Sequence, residues 1–182
     1  VIGKVTVSAA AFYLLVQVSR FIGKEIIERR LFDSGLRFPT TDYLLATESE
    51  LSTEFREAIA KKVKTDFEFT LPSPDEVHKD ESAARVRIRD IVAQIHSKVN
   101  RTTLLQQRNW EYGFARNLAG GSCIAAPVSL AGMLLHWGDP TAYLFSSGLF
   151  VYAIVLAFAA FALRRLAGLY AHQLFHTYVS DN

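Results

Sequence analysis

The stretch NLAGGSCIAAPVSLAGMLLHWGDPTAYLFSSGLFVYAIVLAFAAFAL, residues 117–163, decides the fold, because only one charge, Asp139, interrupts it. There are 22 uncharged residues from Asn117 to Gly138 and 24 from Pro140 to Leu163. At about 1.5 Å per helical residue, each run exceeds the ~30 Å hydrocarbon core of a bilayer. Between them, Trp137-Gly138-Asp139-Pro140 forms a polar turn with an aromatic anchor beside it. The stretch reads as a transmembrane helical hairpin, since core helices of soluble proteins rarely stay uncharged for so long.

The remaining charge is concentrated upstream. Residues 24–116 hold 16 of the 20 Lys and Arg and 16 of the 18 Asp and Glu, so this region is net neutral. That excludes a simple polybasic nucleic-acid domain and leaves anion binding to local patches. The lone cysteine, Cys123, falls inside a span, which excludes an intrachain disulfide or a thiolate metal site.

Residues 5–23 form a third apolar stretch, in which Thr6, Tyr13, Gln17 and Arg20 share one helical face with Lys24 just beyond it. A polar stripe on a membrane helix is expected to face other helices or water. Snorkelling of Arg20 and Lys24 at the interface is the alternative. Basic residues flank the spans on one side: Lys24, Arg29 and Arg30, then Arg108 and Arg116, then Arg164 and Arg165. That side is expected to be cytoplasmic.

In the middle region, Phe38-Pro39 leads into an expected strand around Tyr43, and 66–71 alternates like a second short strand. Thr47 with Glu50 resembles a capping box opening a helix through Leu51, Phe55, Ile59 and Val63. Ser73-Pro74-Asp75-Glu76 is another helix start, and Ile88, Ile91, Val92, Ile95 and Val99 follow a 3.6-residue period. Asn100-Arg101-Thr102-Thr103 is a break before a helix that runs through Trp110 into the second span.

The expected fold is thus a mainly α-helical membrane protein. It has transmembrane helices at 1–23, 117–138 and 140–163, and a further span upstream is left open. A small α+β cytoplasmic domain occupies 24–116 and a cytoplasmic tail 164–182.

Lys61, Lys62, Lys64, Arg85 and Arg89, with the aromatics Tyr43, Phe67 and Phe69, are the candidate ligand-binding residues. Cations of this kind suit phosphates and the rings suit stacked bases. On a helix Arg85 and Arg89 share a face, while Arg87 points away. The alternative is a solvated, salt-bridged face. Arg89 and His96 also fit the loose arginine–histidine pattern of HEPN ribonucleases, which makes a membrane-tethered nuclease one alternative function. His172 and His176 are four apart but have no third ligand nearby. Neither a GxSxG, P-loop or HExxH motif nor a glycine-rich nucleotide fingerprint occurs, and no cofactor or enzymatic activity is expected. In the second span Gly121, Ala125 and Ser129 form a small-residue face, and Ser122 with Ser129 adds hydroxyls at depth. With Thr6, Tyr13, Gln17 and Arg20, these serines are the candidate pore-lining set. Pro127 is expected to bend the span.

Residues 108–122 (RNWEYGFARNLAGGS) and 38–45 (FPTTDYLL) resemble small bacterial membrane effectors of nucleotide-signalling anti-phage defence, of the Hailong channel type. The resemblance implies a homo-oligomeric channel, often tetrameric, in the inner membrane. Its cytoplasmic domain would bind a nucleotide or oligonucleotide that controls opening. One protomer has too few spans to enclose a pore, so conduction requires oligomers among membrane lipids. A non-conducting anchor for a partner protein is the remaining alternative.

Overall fold

The computed structural model describes residues 2–45, 50–99 and 102–181, with side chains from Ser8 onward. Contacts divide the chain into two units, Val1–Leu31 with Gly113–Leu163 and Phe32–Tyr112 with Arg164–Asn182.

In the first unit, helix α1 (Ile2–Phe21) continues through a wider π-type coil, Ile22–Glu28, and a last turn, Arg29–Leu31. Two long helices supply the rest: the later part of α5 (Thr103–Leu135) and the earlier part of α6 (Thr141–Ser180). A methyl group at Gly120 would overlap the Ser19 carbonyl oxygen, and one at Gly23 would lie 2.6 Å from that of Arg116. Small residues are what let these backbones touch. Residue 19 meets 120 and 121 while residue 23 meets 116, so α1 and α5 run antiparallel. Further along α5, Gly132 accepts the Phe145 ring of α6, and Ser129 faces Gly148. Asp139 caps α6, its Oδ1 accepting from the Thr141 N–H and hydroxyl, each at 2.9 Å.

The second unit contains α2 (Thr53–Phe67), α3 (Pro74–Lys79), α4 (Glu81–Lys98), the start of α5 and the end of α6. Thr47 lies outside the described residues; the observed cap of α2 is Ser52, whose Oγ accepts from Phe55 N–H at 3.2 Å. The helix start expected at Ser73 is present and is closed by a capping box between Ser73 and Glu76, but α3 ends early. Asp80 then caps α4 by accepting from Ala83 N–H. Ile59, Val63, Ile88, Ile91 and Ile95 pack in one core with Ala171, Leu174, Phe175 and Tyr178 of α6. Residues 164–180, read from the sequence as a tail, therefore furnish a wall of this core.

The α+β expectation is corrected. No strand occurs among the described residues. Pro39–Asp42 is a single helical turn, and Thr40, Thr41, Tyr43, Leu44 and Leu45 are all buried, which is not the every-second-residue burial of a strand. Asp66 and Phe67 end α2, and Glu68 then adopts a left-handed φ of 61°. The alternating 68–71 has no partner strand with which to form a ladder.

The three-span expectation is corrected too. Among the described residues two helices, α5 and α6, are long and apolar enough to cross a membrane. The uncharged run of the first stretch, between Lys4 and Arg20, is only 15 residues. At helical rise it covers about 22 Å. The two long apolar helices are compatible with membrane association. Their exposed side chains include Leu134, Leu144, Phe150, Phe158 and Phe161.

Candidate functional site

The candidate ligand residues occupy different settings. Arg85 is buried, and it turns inward from α4 to donate to Glu81 Oε1 at 2.6 Å, to the Leu36 carbonyl at 3.0 Å and to Asp42. Its hydrogen bond, and then its charge, hold the Glu81 carboxyl below the usual carboxylate range. Arg85 thus ties segment 36–42 to α4. Tyr43 is also buried, its ring 4.9 Å from that of His172. Burial first, and then a hydrogen bond with Glu50, push its hydroxyl pKa up.

Lys62 and Phe67 come together around the end of α6. Lys62 donates to the Asp181 carbonyl and lies 5.4 Å from the Tyr178 ring centre. Phe67 stacks on Tyr178 at 6.3 Å. Asp66 sits between them, accepting from Tyr178 Oη at 2.9 Å and pairing with Lys98 at 2.7 Å. The Lys98 hydrogen bond, followed by that of Tyr178, depresses the Asp66 pKa. Lys61, Lys64 and Arg89 are exposed, and Arg89 lies 3.6 Å from its neighbour Asp90.

Phe69 faces a different side chain from those expected. It lines an open cleft of about 600 Å³ with Asp80, Val86, Arg87, Asp90 and Ile91. Arg87 is held there by a 2.6 Å hydrogen bond to Thr70 and a 3.5 Å ion pair with Glu76. Of the three clustered arginines, it is the one beside an exposed aromatic ring. The helical wheel signals this, because Arg87 lies opposite the buried Arg85.

His96 stacks on Tyr170 at 5.7 Å and hydrogen-bonds its hydroxyl. His172 and His176 take aromatic partners, Tyr43 and Phe55. Among the described residues no cluster of His, Cys, Asp and Glu is arranged to hold a metal.

The candidate pore set also divides. Ser122 and Ser129 are buried within the first unit, and Ser122 Oγ donates to the Leu118 carbonyl at 2.9 Å. The side chain of Thr6 lies outside the described residues. Tyr13 is exposed. Gln17 and Arg20 line a groove with Lys24 and Arg116. The sequence reading used Arg116 only as a flanking charge. It is anchored to Glu28 at 2.8 Å.

The depressed carboxylates set the acid response. A group whose pKa is lowered by folding contributes fully above its unfolded pKa and loses that contribution as pH falls through it toward the folded value. Asp66, Glu76 and Glu81 all shift this way. The melting temperature in mild detergent is therefore expected to fall below about pH 5. Asp66→Asn is expected to lower stability at pH 7 by about 1–3 kcal/mol and to flatten the acid slope. An unchanged slope in Asp66→Asn would remove this carboxylate from the account.

No protein-family model matches the chain, and no curated protein or solved structure does either.

Proposed function

We propose that this chain is a ligand-controlled, pore-forming membrane effector of bacterial anti-phage defence. It acts as a homo-oligomer in the inner membrane, with its second unit in the cytoplasm, and responds to a nucleotide or oligonucleotide. The observation that carries the reading is the continuity of α5 and α6, at 33 and 40 residues. Each is an apolar helix at one end and part of the soluble unit at the other. A ligand that repacks the soluble core would act directly on helices that enter the membrane. The orientation rests on Arg108, Arg116, Arg164 and Arg165 flanking the apolar runs, against Asp139 at the turn.

The Phe69–Arg87 cleft is the proposed ligand site. A base would stack on Phe69, its N–H edge would meet Asp80 or Asp90, and a phosphate would meet Arg87. Planar-bilayer recording of the purified chain with a panel of cyclic and linear nucleotides tests the function, and nucleotide-dependent conductance is the expected result. An assembled protein that conducts under none of them would favour the anchor. Calorimetric titration tests the site: Phe69→Ala is expected to weaken binding by about 1–3 kcal/mol. Wild-type affinity in that variant would exclude the cleft.

A further inference from the structure

We infer that the groove between α1 and α5, lined by Gln17, Arg20, Lys24 and Arg116, seats the phosphate of an anionic phospholipid headgroup. The inference stands whether or not the protein conducts. The groove has a volume of about 620 Å³. Arg20 and Lys24 are exposed, four residues apart, and neither enters an ion pair among the described residues. Arg116 forms the opposite wall, fixed by its 2.8 Å bond to Glu28. Glu25, which also lines the groove, pairs with Arg29 at 3.5 Å. The groove thus presents three guanidinium or ammonium groups and the Gln17 amide, all of them donors for phosphate oxygens.

The depth of the groove argues for a lipid rather than a free phosphate. Arg116 is the last charge before the 22 uncharged residues 117–138, most of which lie in α5. Ser19 meets Gly120 and Gly121 while Gly23 meets Arg116, so Arg20 and Lys24 lie at this same boundary. Val18 and Phe21 line the groove itself, and Leu14 and Leu15 are exposed beyond it. A free phosphate would leave that apolar flank bare, whereas a phospholipid covers it with an acyl chain while its headgroup meets the cations. Basic pockets at the cytoplasmic boundary of membrane helices suit anionic headgroups in this way.

Native mass spectrometry of the full chain in detergent, titrated with phosphatidylglycerol or phosphatidylcholine, tests this. The expected result is saturable binding of phosphatidylglycerol over phosphatidylcholine. Arg20→Gln with Lys24→Gln should weaken it by about 25-fold, at about fivefold per cation. Arg164→Gln with Arg165→Gln removes two exposed cations beside the other apolar helix and should change it less than threefold. Equal losses in the two double variants would reduce the effect to general surface charge and overturn the site. Displacement of phosphatidylglycerol by millimolar inorganic phosphate would assign the groove to a free anion and overturn the lipid. If the double variant is not monodisperse, Arg20→Gln and Lys24→Gln are read singly, each with an expected fivefold loss, and wild-type affinity in both would overturn the inference.

Discussion

Arg85→Met is expected to cost the second unit about 2–3 kcal/mol, because it removes a buried guanidinium from two partly exposed carboxylates and a carbonyl. The loss exceeds that of one hydrogen bond, because Asp42, Glu81 and the Leu36 carbonyl all lose their donor at once. Lys61→Ala and Arg89→Ala change exposed residues and are expected to stay within about 0.5 kcal/mol of wild type. Chemical denaturation in mild detergent, followed by circular dichroism, separates the cases. The contrast decides what Arg85 does. If Arg85→Met unfolds at the wild-type denaturant concentration and loses only nucleotide binding, Arg85 is a ligand residue. If the midpoint falls, it is the staple of the 36–42 segment.

Gly120→Ala is expected to force α1 off α5. The added methyl would overlap the Ser19 carbonyl, and the Gly23 backbone lies immediately behind. Backbone cannot swing aside as a side chain can, so the cost is expected at or above the usual ~1–3 kcal/mol of overpacking. The packing is directly measurable. A Cβ at position 121 lies 3.9 Å from that of Ser19, within the usual disulfide range of about 3.5–4.5 Å. Ser19→Cys with Gly121→Cys, in a Cys123→Ser background, should cross-link α1 to α5 under mild oxidation. Adding Gly120→Ala should abolish the cross-link. Undiminished cross-linking would show that the helices cross elsewhere.

The long apolar helices were legible because lack of charge is a property of every residue in the run, and no tertiary contact is needed to read it. The helix start at Ser73 was legible for a similar reason, since its signals lie in four adjacent residues. The short strands were misread because alternation over a few residues says nothing about whether a partner strand exists. Between 40 and 45 every residue but Asp42 is buried, so alternation is lost. Of the candidate ligand residues, Arg85 was readable as helical but not as inward-facing. That depended on Asp42, 43 residues away. The core role of the last helix was missed although its signal was present: Ala167, Ala171, Leu174 and Tyr178 repeat at helical spacing. Proximity to the apolar hairpin made that repeat look like a mere continuation of the span.

That last helix also orders the protein's biogenesis. Residues 32–112 leave the ribosome before the apolar hairpin, but the side chains that close their core, from Ala171 to Tyr178, come after it. The nascent segment must wait with Ile59, Ile88 and Ile95 uncovered while the apolar hairpin is synthesised. Contacts this distant in sequence form late and leave apolar surface open to chaperones or to aggregation in the meantime. Completion of the core thus reports that both apolar helices have been synthesised.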